Sequence, residues 1–328
     1  VQLAKRARGD NPSVENPPRP CRAIAMLNER EIESCYLGQF IPVHYHHNML
    51  MDANRMHNFK AAIDYVVQPG MKVLELGGGT GVLSFFAAQK AAKVYCVEFN
   101  PDMVQEARKF LAINKNGERV EVIHADAFEY LPPEPVDVVI CEMIHVAMLR
   151  EKQVEVIEHF KQRYLERFGA PLPVFMPEAV LMAVQPVQQE YDFDGFHAPI
   201  VQFQQPGQIQ NGTLELSQPQ VYSLIDFTQP NDTLYRWEGQ FVAERAGQLS
   251  ALRFITKNIL AVVAERNSTI DWLNHYMTLP LAEPLPVRAG DTIQVAFAYR
   301  AGGQIQSLQA NMRATVVREG ATLPAFAA

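Results

Sequence analysis

Apolar positions recur first at helical spacing and then in short runs that alternate with helices. Between residues 51 and 67, Phe59, Ala62, Ile63, Val66 and Val67 mark one face of a helix, which Gln68-Pro69-Gly70 stops. Residues 72–76, 93–98, 120–124 and 136–141 read as short buried strands. Helices are expected between and after them over 81–90, over 101–114 with Pro101 in the first turn, and over 151–168. This rhythm predicts an α/β fold in which a mostly parallel sheet is covered by helices on both faces.

After Pro177 the helical period fades. Short β-prone runs at 180–187, 221–227, 237–242, 259–263, 292–299 and 312–317 are separated by turn signals such as Asn231-Asp232 and Gly302-Gly303. An all-β, barrel-like second domain is therefore expected over 176–328. The glutamine-rich stretch 202–210 reads as a solvated loop. At the other end, Pro12, Pro17, Pro18 and Pro20 among charges give residues 1–22 the character of a loose arm, followed by a helix over 23–33. The middle part, 23–175, is the α/β domain with helices at its N-terminal side.

Composition narrows the classes. The 328 residues are 48% apolar and carry a formal net charge of -7, which argues against an enzyme that grips long nucleic acid by its phosphates. No apolar run is long enough to span a bilayer, and the start of the chain is charged and proline-rich rather than signal-like. Cys21, Cys35, Cys96 and Cys141 lack metal-ligand spacing, and two of them fall in expected buried strands. That usage suits reduced thiols and a cytoplasmic setting.

The strongest chemical signal is Glu75-Leu76-Gly77-Gly78-Gly79-Thr80-Gly81, directly after a strand and opening a helix. Glycines let the backbone turn tightly and approach a ligand, and the helix N-terminus offers free N–H groups. A dinucleotide site would need a glycine where Val82 or Ser84 stands, so the G-x-G-x-G form points to S-adenosylmethionine in a Rossmann-like domain. Glu75, Gly77, Gly79 and Gly81 are assigned to that site. Glu98 closes the second strand about twenty residues past the first glycine, where an acid takes both ribose hydroxyls. Asp126, just beyond the third strand, is placed to accept a hydrogen bond from the adenine amino group; Ala127 reaches the same pocket. Methyl transfer from a sulfonium is an in-line displacement that chiefly needs alignment, so no metal is expected. His44, His46 and His47 look metal-like in isolation, but no Cys or Asp cluster completes a site.

The end of the fourth strand decides the acceptor. Instead of the Asn/Asp-Pro-Pro-Tyr motif of many adenine and amide methyltransferases, the chain has Cys141-Glu142-Met143-Ile144-His145-Val146-Ala147-Met148-Leu149-Arg150-Glu151. Glu142 and Glu151 bracket a loop at the pocket mouth, and a carboxylate pair suits a planar cationic fork. Glu151 can equally be read as an acid in the first turn of the following helix, favoured by its dipole.

That loop resembles the double-glutamate loop of protein arginine methyltransferases, in which both acids clasp a guanidinium. His46-His47-Asn48-Met49-Leu50-Met51-Asp52-Ala53-Asn54-Arg55 is similar to the same family's His-x-x-Met-Leu-x-Asp-x-x-Arg helix. The resemblance implies that Arg55 pairs with the cofactor's methionine carboxylate and that His46 and Met49 face the active site. It also implies that Tyr36 belongs to a cofactor-covering helix, where Phe40 replaces a second tyrosine. Ile270-Asp271-Trp272 aligns with the family's Thr-His-Trp loop, which puts Asp271 and Trp272, with His145, at the acceptor. The likeness runs from about Tyr36 to the C-terminus.

The departures are specific. The family's Trp-Met-Gly-Tyr is Met143-Ile144-His145-Val146 here, and Asp271 stands where the family has histidine. Asp271 and Asp52 would then oppose acid to acid, so that one is protonated or a cation lies between them. The stretch between Asp194 and Ser217 is shorter than the family's dimerisation arm, which puts a homodimer in question. The expected reaction is methyl transfer to a guanidinium of a protein, peptide or small molecule, with Glu142 and Glu151 as catalytic residues and S-adenosylhomocysteine as product. His145, whose ring ordinarily titrates near neutrality, is a candidate proton acceptor. The alternatives are a side-chain amide, amine or small-metabolite acceptor on the same scaffold, or a non-catalytic cofactor-binding protein. No membrane partner is expected, and a nucleic-acid acceptor is disfavoured by the charge.

Overall fold

The computed structural model describes residues 43–318. The arm 1–22, the helix 23–33, Tyr36 and Phe40 lie outside the described residues.

Among the described residues two helices come first: α1 (Val43–Met51) and α2 (Ala53–Val66). Asp52 separates them because its carboxylate accepts a hydrogen bond from Arg55 N at 2.9 Å, an N-cap that starts a new helix. The single helix expected from residue 51 is thus the second of a pair. Next come β1 (Lys72–Leu76), α3 (Val82–Ala88), β2 (Lys93–Glu98), α4 (Pro101–Ala112), β3 (Val120–His124), β4 (Val138–Cys141), α5 (Gln153–Phe168) and β5 (Val174–Met176).

The five strands form one parallel sheet in the order β3-β2-β1-β4-β5. Alternation decides which helix covers which face. Val73, Val94, Val138 and Ile140 pack with Phe59 and Ile63 of α2 and Leu83 and Ala87 of α3. Leu74, Leu76, Val139 and Cys141 point the other way, into a core with Ile157 and Phe160 of α5. Covered on both sides, the strands are apolar nearly throughout. The order reverses between β1 and β4, and at such a switch point the loops leaving the strand ends part and leave a crevice.

From Ala179 to the last described residues the chain is almost entirely β. Strands β6 (Ala179–Gln189), β9 (Gln202–Gln204), β10 (Thr213–Glu215), β11 (Gln220–Asp226), β13 (Gly247–Val263), β14 (Ser268–Leu273) and β15 (Tyr276–Val287) make a seven-stranded sheet centred on β13. A hairpin, β7 (Asp192–Phe193) with β8 (Phe196–His197), stands apart from it. Strands β12 (Leu234–Val242), β16 (Thr292–Arg300) and β17 (Arg313–Val317) form a second sheet, with the short helix α6 (Ile305–Asn311) before the last strand. The sheets meet through aromatic rings: Phe297 lies 5.1 Å from Tyr222 and 5.3 Å from Phe254, centroid to centroid. Among the described residues the two sheets stay separate, and no ladder closes either into a barrel.

The glutamine-rich stretch is a mostly exposed loop over 205–210, as expected, but its start, 202–204, is strand β9. Gln204 is buried in β9, where its Nε2 donates to Gln189 Oε1 at 3.0 Å and Thr213 Oγ1 at 2.8 Å. Amides that satisfy one another can be buried, and composition does not reveal such pairing. One hydrophobic cluster then runs from Phe160 of α5 through Ile144, Val146, Met148 and Leu149 to Phe227, Phe254 and Phe297. The loop after β4 therefore lies in the seam between the parallel sheet and the β region.

Candidate active site

The glycine loop leaves β1 at the switch point. Gly77, Gly79 and Gly81 have φ of 77°, 52° and 77°, a region that L side chains rarely adopt. A Cβ on Gly78 would sit 2.3 Å from Cys96 Sγ, so the loop backs closely on β2. The opposite surface is covered by side chains: Met143 lies over Gly77 and the His46 ring over Gly79. This side of the loop is thus lined by groups that rotate rather than by fixed backbone.

Around this loop the acids play different parts. Glu98 accepts hydrogen bonds from Gly79 N at 2.8 Å and Asn100 N at 2.7 Å, one on each oxygen. A carboxylate has lone pairs beyond those two bonds, so as an acceptor it fits the two hydroxyls of a ribose diol. Burial raises its pKa, and the backbone N–H groups oppose that rise. Glu75 is turned inward; one oxygen accepts from Ser84 N at 2.8 Å and from the Ser84 hydroxyl, which ties β1 to the first turn of α3. Burial pushes its pKa up to about 8. Asp126 is exposed at the end of β3, with Oδ1 accepting from Phe128 N at 2.9 Å.

Arg55 is buried on α2, forms an ion pair with Glu142, and stacks 5.3 Å from the Phe59 ring and 5.8 Å from the Trp272 ring. Trp272 is itself buried against Phe59 at 5.9 Å, so it supports Arg55 and is held in the core. Asp271, next along β14, points elsewhere: its Oδ2 lies 3.0 Å from Lys257 Nζ and accepts from Thr269 Oγ1 at 2.8 Å. Its partner is thus a lysine of the neighbouring strand, while Asp52 serves as the N-cap that accepts from Arg55 N.

The loop after β4 carries both glutamates. Helix α5 begins at Gln153 with Lys152 as its cap residue, so Glu151 lies outside the first turn and the helix-dipole reading does not apply. Its carboxylate accepts no hydrogen bond among the described residues. Glu151 keeps some exposed surface, yet dense protein surrounds it. Burial pushes its pKa up to about 8, with the charge of Glu142 adding to the rise and Arg150 and Arg55 opposing it. That coupling places the two carboxylates within electrostatic reach of each other.

His145 corrects an expectation. Burial lowers its pKa to about 4, its Nδ1 lies 3.0 Å from Val146 O, and its ring packs edge-on to Phe203 at 5.7 Å. A ring that weakly basic does not titrate near neutrality.

Several residues that shape this loop are silent in the sequence. Gln153 is fully buried; its Oε1 accepts from Met143 N at 2.9 Å and its Nε2 donates to Cys141 O at 2.5 Å. Thr256 Oγ1 accepts from Ala147 N at 2.8 Å, and Asn274 Nδ2 donates to Ile144 O at 3.2 Å. The last two partners lie more than a hundred positions away in sequence. Met49 is half-buried on α1. No group of three or more His, Cys, Asp or Glu suited to a metal comes together among the described residues, and no helix there is long and apolar enough to cross a membrane.

Comparison with known proteins fits this geometry. A family profile described as a methyltransferase domain matches residues 73–165. An uncharacterized protein of Methanocaldococcus jannaschii is 26% identical over 268 residues, covering 82% of this chain and 96% of its own length. Protein arginine N-methyltransferase 6 of Danio rerio is 32% identical over 141 residues, 42% of this chain and 40% of its own, so that match spans less than half of either protein. Among solved structures, the Trypanosoma brucei PRMT1 enzyme–prozyme heterotetrameric complex with AdoHcy superposes with a TM-score of 0.62 at 17% identity, covering 84% of this chain and 98% of the other. Residues 73–165 thus carry a methyltransferase domain, and S-adenosylmethionine-dependent methyl transfer is the activity it supports. Within that class the chain has structural and weak sequence similarity to protein arginine methyltransferases.

Proposed function

We propose that the chain transfers a methyl group to a guanidinium nitrogen of a protein, peptide or small molecule. The observation that carries this reading is the pair Glu142 and Glu151 in the loop after β4, one held by Arg55 and the other half-buried with no hydrogen bond among the described residues. A carboxylate driven to about pH 8 by burial and a neighbouring charge is stabilised by an arriving cation, and a guanidinium supplies it with two parallel N–H donors.

S-adenosylmethionine supplies a methyl group on a positively charged sulfur, and the bond electrons return to sulfur as the methyl leaves. The residues of this chain do the rest. Gly77, Gly79 and Gly81 give the backbone its approach, Glu98 and Asp126 hold the nucleoside, and Arg55 balances the amino-acid carboxylate. His46 and Met49 close over the reacting centre. Glu142 and Glu151 hold the acceptor nitrogen in line and draw charge toward it. The departing proton goes to a carboxylate or to water rather than to His145. We further place the protein in the cytoplasm, where the buried thiols Cys96 and Cys141 stay reduced. The hairpin bearing the exposed Phe193 and Phe196 is the face a homodimer would use, on an arm shorter than the family's.

A second reading draws on the same group. A protonated Glu151 can donate a hydrogen bond to the carbonyl oxygen of a neutral amide, an acceptor that needs no charge. The two readings separate in one assay: protein, S-adenosylmethionine, free arginine, arginine-rich peptides and a cell extract, with products identified by mass spectrometry. A methylated guanidinium supports the first reading. Methylation of amides or amines with arginine compounds untouched supports the second and overturns the first.

A further inference from the structure

The loop between the two glutamates needs help to hold its shape. Ala147, Met148 and Arg150 have φ of 58°, 53° and 62°, and none of them is glycine. Such residues persist in the left-handed region only where the surroundings over-determine them. The question is which part of the molecule does so.

The ladder registers answer it. Strands β14 and β15 run in succession along β13, with Leu273 opposite Lys257 and Met277 opposite Phe254. Between these points β13 contributes two residues, Ile255 and Thr256, while the other side contributes three: Asn274, His275 and Tyr276. One residue too many on one side is a β-bulge, which releases a side chain from its regular direction. Asn274 uses that freedom to send Nδ2 to Ile144 O, while its own N–H donates to Thr256 O at 3.1 Å. Opposite the bulge, Thr256 is fully buried and its hydroxyl takes the N–H of Ala147. The next residue on the same face, Asn258, is also fully buried; its Nδ2 holds Asn274 Oδ1 at 2.5 Å, while its Oδ1 has no partner. A sheet that keeps three polar side chains dry at this one point, one of them incompletely satisfied, is shaped by something other than packing.

Resting on the guanidinium reading above, we propose that Thr256 and Asn274 are positioning residues. The β13–β15 bulge clamps the acceptor loop at Ala147 and Ile144 and so fixes the reach of Glu151 relative to Glu142. Neither residue touches the glycine loop, so cofactor binding is separable from their action.

The test compares Thr256→Val, Thr256→Ser and Asn274→Leu with the wild type in the full chain. Amide hydrogen exchange over residues 144–150 is expected to quicken about tenfold in Thr256→Val and Asn274→Leu, the ratio one lost hydrogen bond of ordinary strength gives, and to stay near wild type in Thr256→Ser. Methyl transfer to an arginine-containing peptide should fall about tenfold in kcat/KM in the same two variants and recover with serine, while S-adenosylmethionine affinity is retained. Unchanged exchange in both variants, or equal losses of cofactor and acceptor binding, would overturn the clamp. If the wild type methylates no guanidinium, the functional reading fails alone, because the exchange measurement still decides the clamp without any turnover.

Discussion

Two loops leave the same end of the same sheet one strand apart, and they are built on opposite principles. The loop after β1 takes its left-handed turns at Gly77, Gly79 and Gly81, where they cost little, and its ties are local: Gly77 N and Gly78 N donate to Val97 O at 2.9 and 2.8 Å. The loop after β4 takes them at Ala147, Met148 and Arg150, where each costs about 1–3 kcal/mol, and it is held from elsewhere. Arg150 N reaches Gly303 O at 2.8 Å, and Gly302 N reaches Met148 O at 2.8 Å. The cofactor loop can form wherever its own sequence folds. The acceptor loop exists only when the β region has folded around it.

The sharpest way to separate the loops is Glu142→Gln or Glu151→Gln. Either change should cut kcat/KM on a guanidinium acceptor by at least about 100-fold, the scale of losing one group aimed at developing charge. Glu151→Gln should do so with S-adenosylmethionine binding kept within about threefold, as read by calorimetry. Full activity in Glu142→Gln would sink the clasp.

Next in size is the response to pH. With Glu151 titrating at about 8, apparent acceptor affinity should rise about tenfold between pH 7 and pH 9 as the carboxylate ionises, and Glu151→Gln should flatten the profile. Stability moves the opposite way. Both Glu75 and Glu151 have folded pKa values raised above the ordinary carboxylate range, so their contribution is fully present below that range and is lost as pH rises through about 8. Melting temperatures at pH 5 and pH 9 check the sign.

Gly79→Ala probes the other loop. A side chain at φ 52° is strained and would meet the His46 ring at 2.9 Å, so cofactor affinity should fall about tenfold while the acceptor loop's hydrogen exchange stays unchanged. The smallest expected effect is Arg150→Gly. It relieves a left-handed non-glycine at an exposed site, and the gain is partly offset by a freer unfolded chain; a net stabilisation of about 0.5 kcal/mol in urea unfolding is expected.

The same contrast explains what was legible beforehand. The parallel sheet, its helices and the glycine motif follow from short-range periodicity and from residues whose conformational role is intrinsic. Strand β15 was not legible, because Pro280, Pro284 and Pro286 break its pattern; nor was most of the 17-residue β13, whose apolar run lacks clean alternation. Glu142 and Glu151 could be picked out as a pair, yet the start of α5 was misplaced by two residues, and that shift takes Glu151 off the helix. Gln153, Thr256 and Asn274 carried no signal at all. Their roles are defined by partners that only the tertiary fold brings near, and a half-buried histidine such as His145 shows its depressed basicity only once its surroundings are known.

The continuous apolar cluster from Phe160 to Phe297 has a consequence for anyone who would cut or recombine this chain. The stretch that matches the methyltransferase profile is not a module to be lifted out. Severed after Met176, it would lose the partners of Ala147 and Ile144 and leave the loop after β4 without a mould. Altering acceptor preference by exchanging whole segments with a relative would therefore require both sides of the seam to travel together.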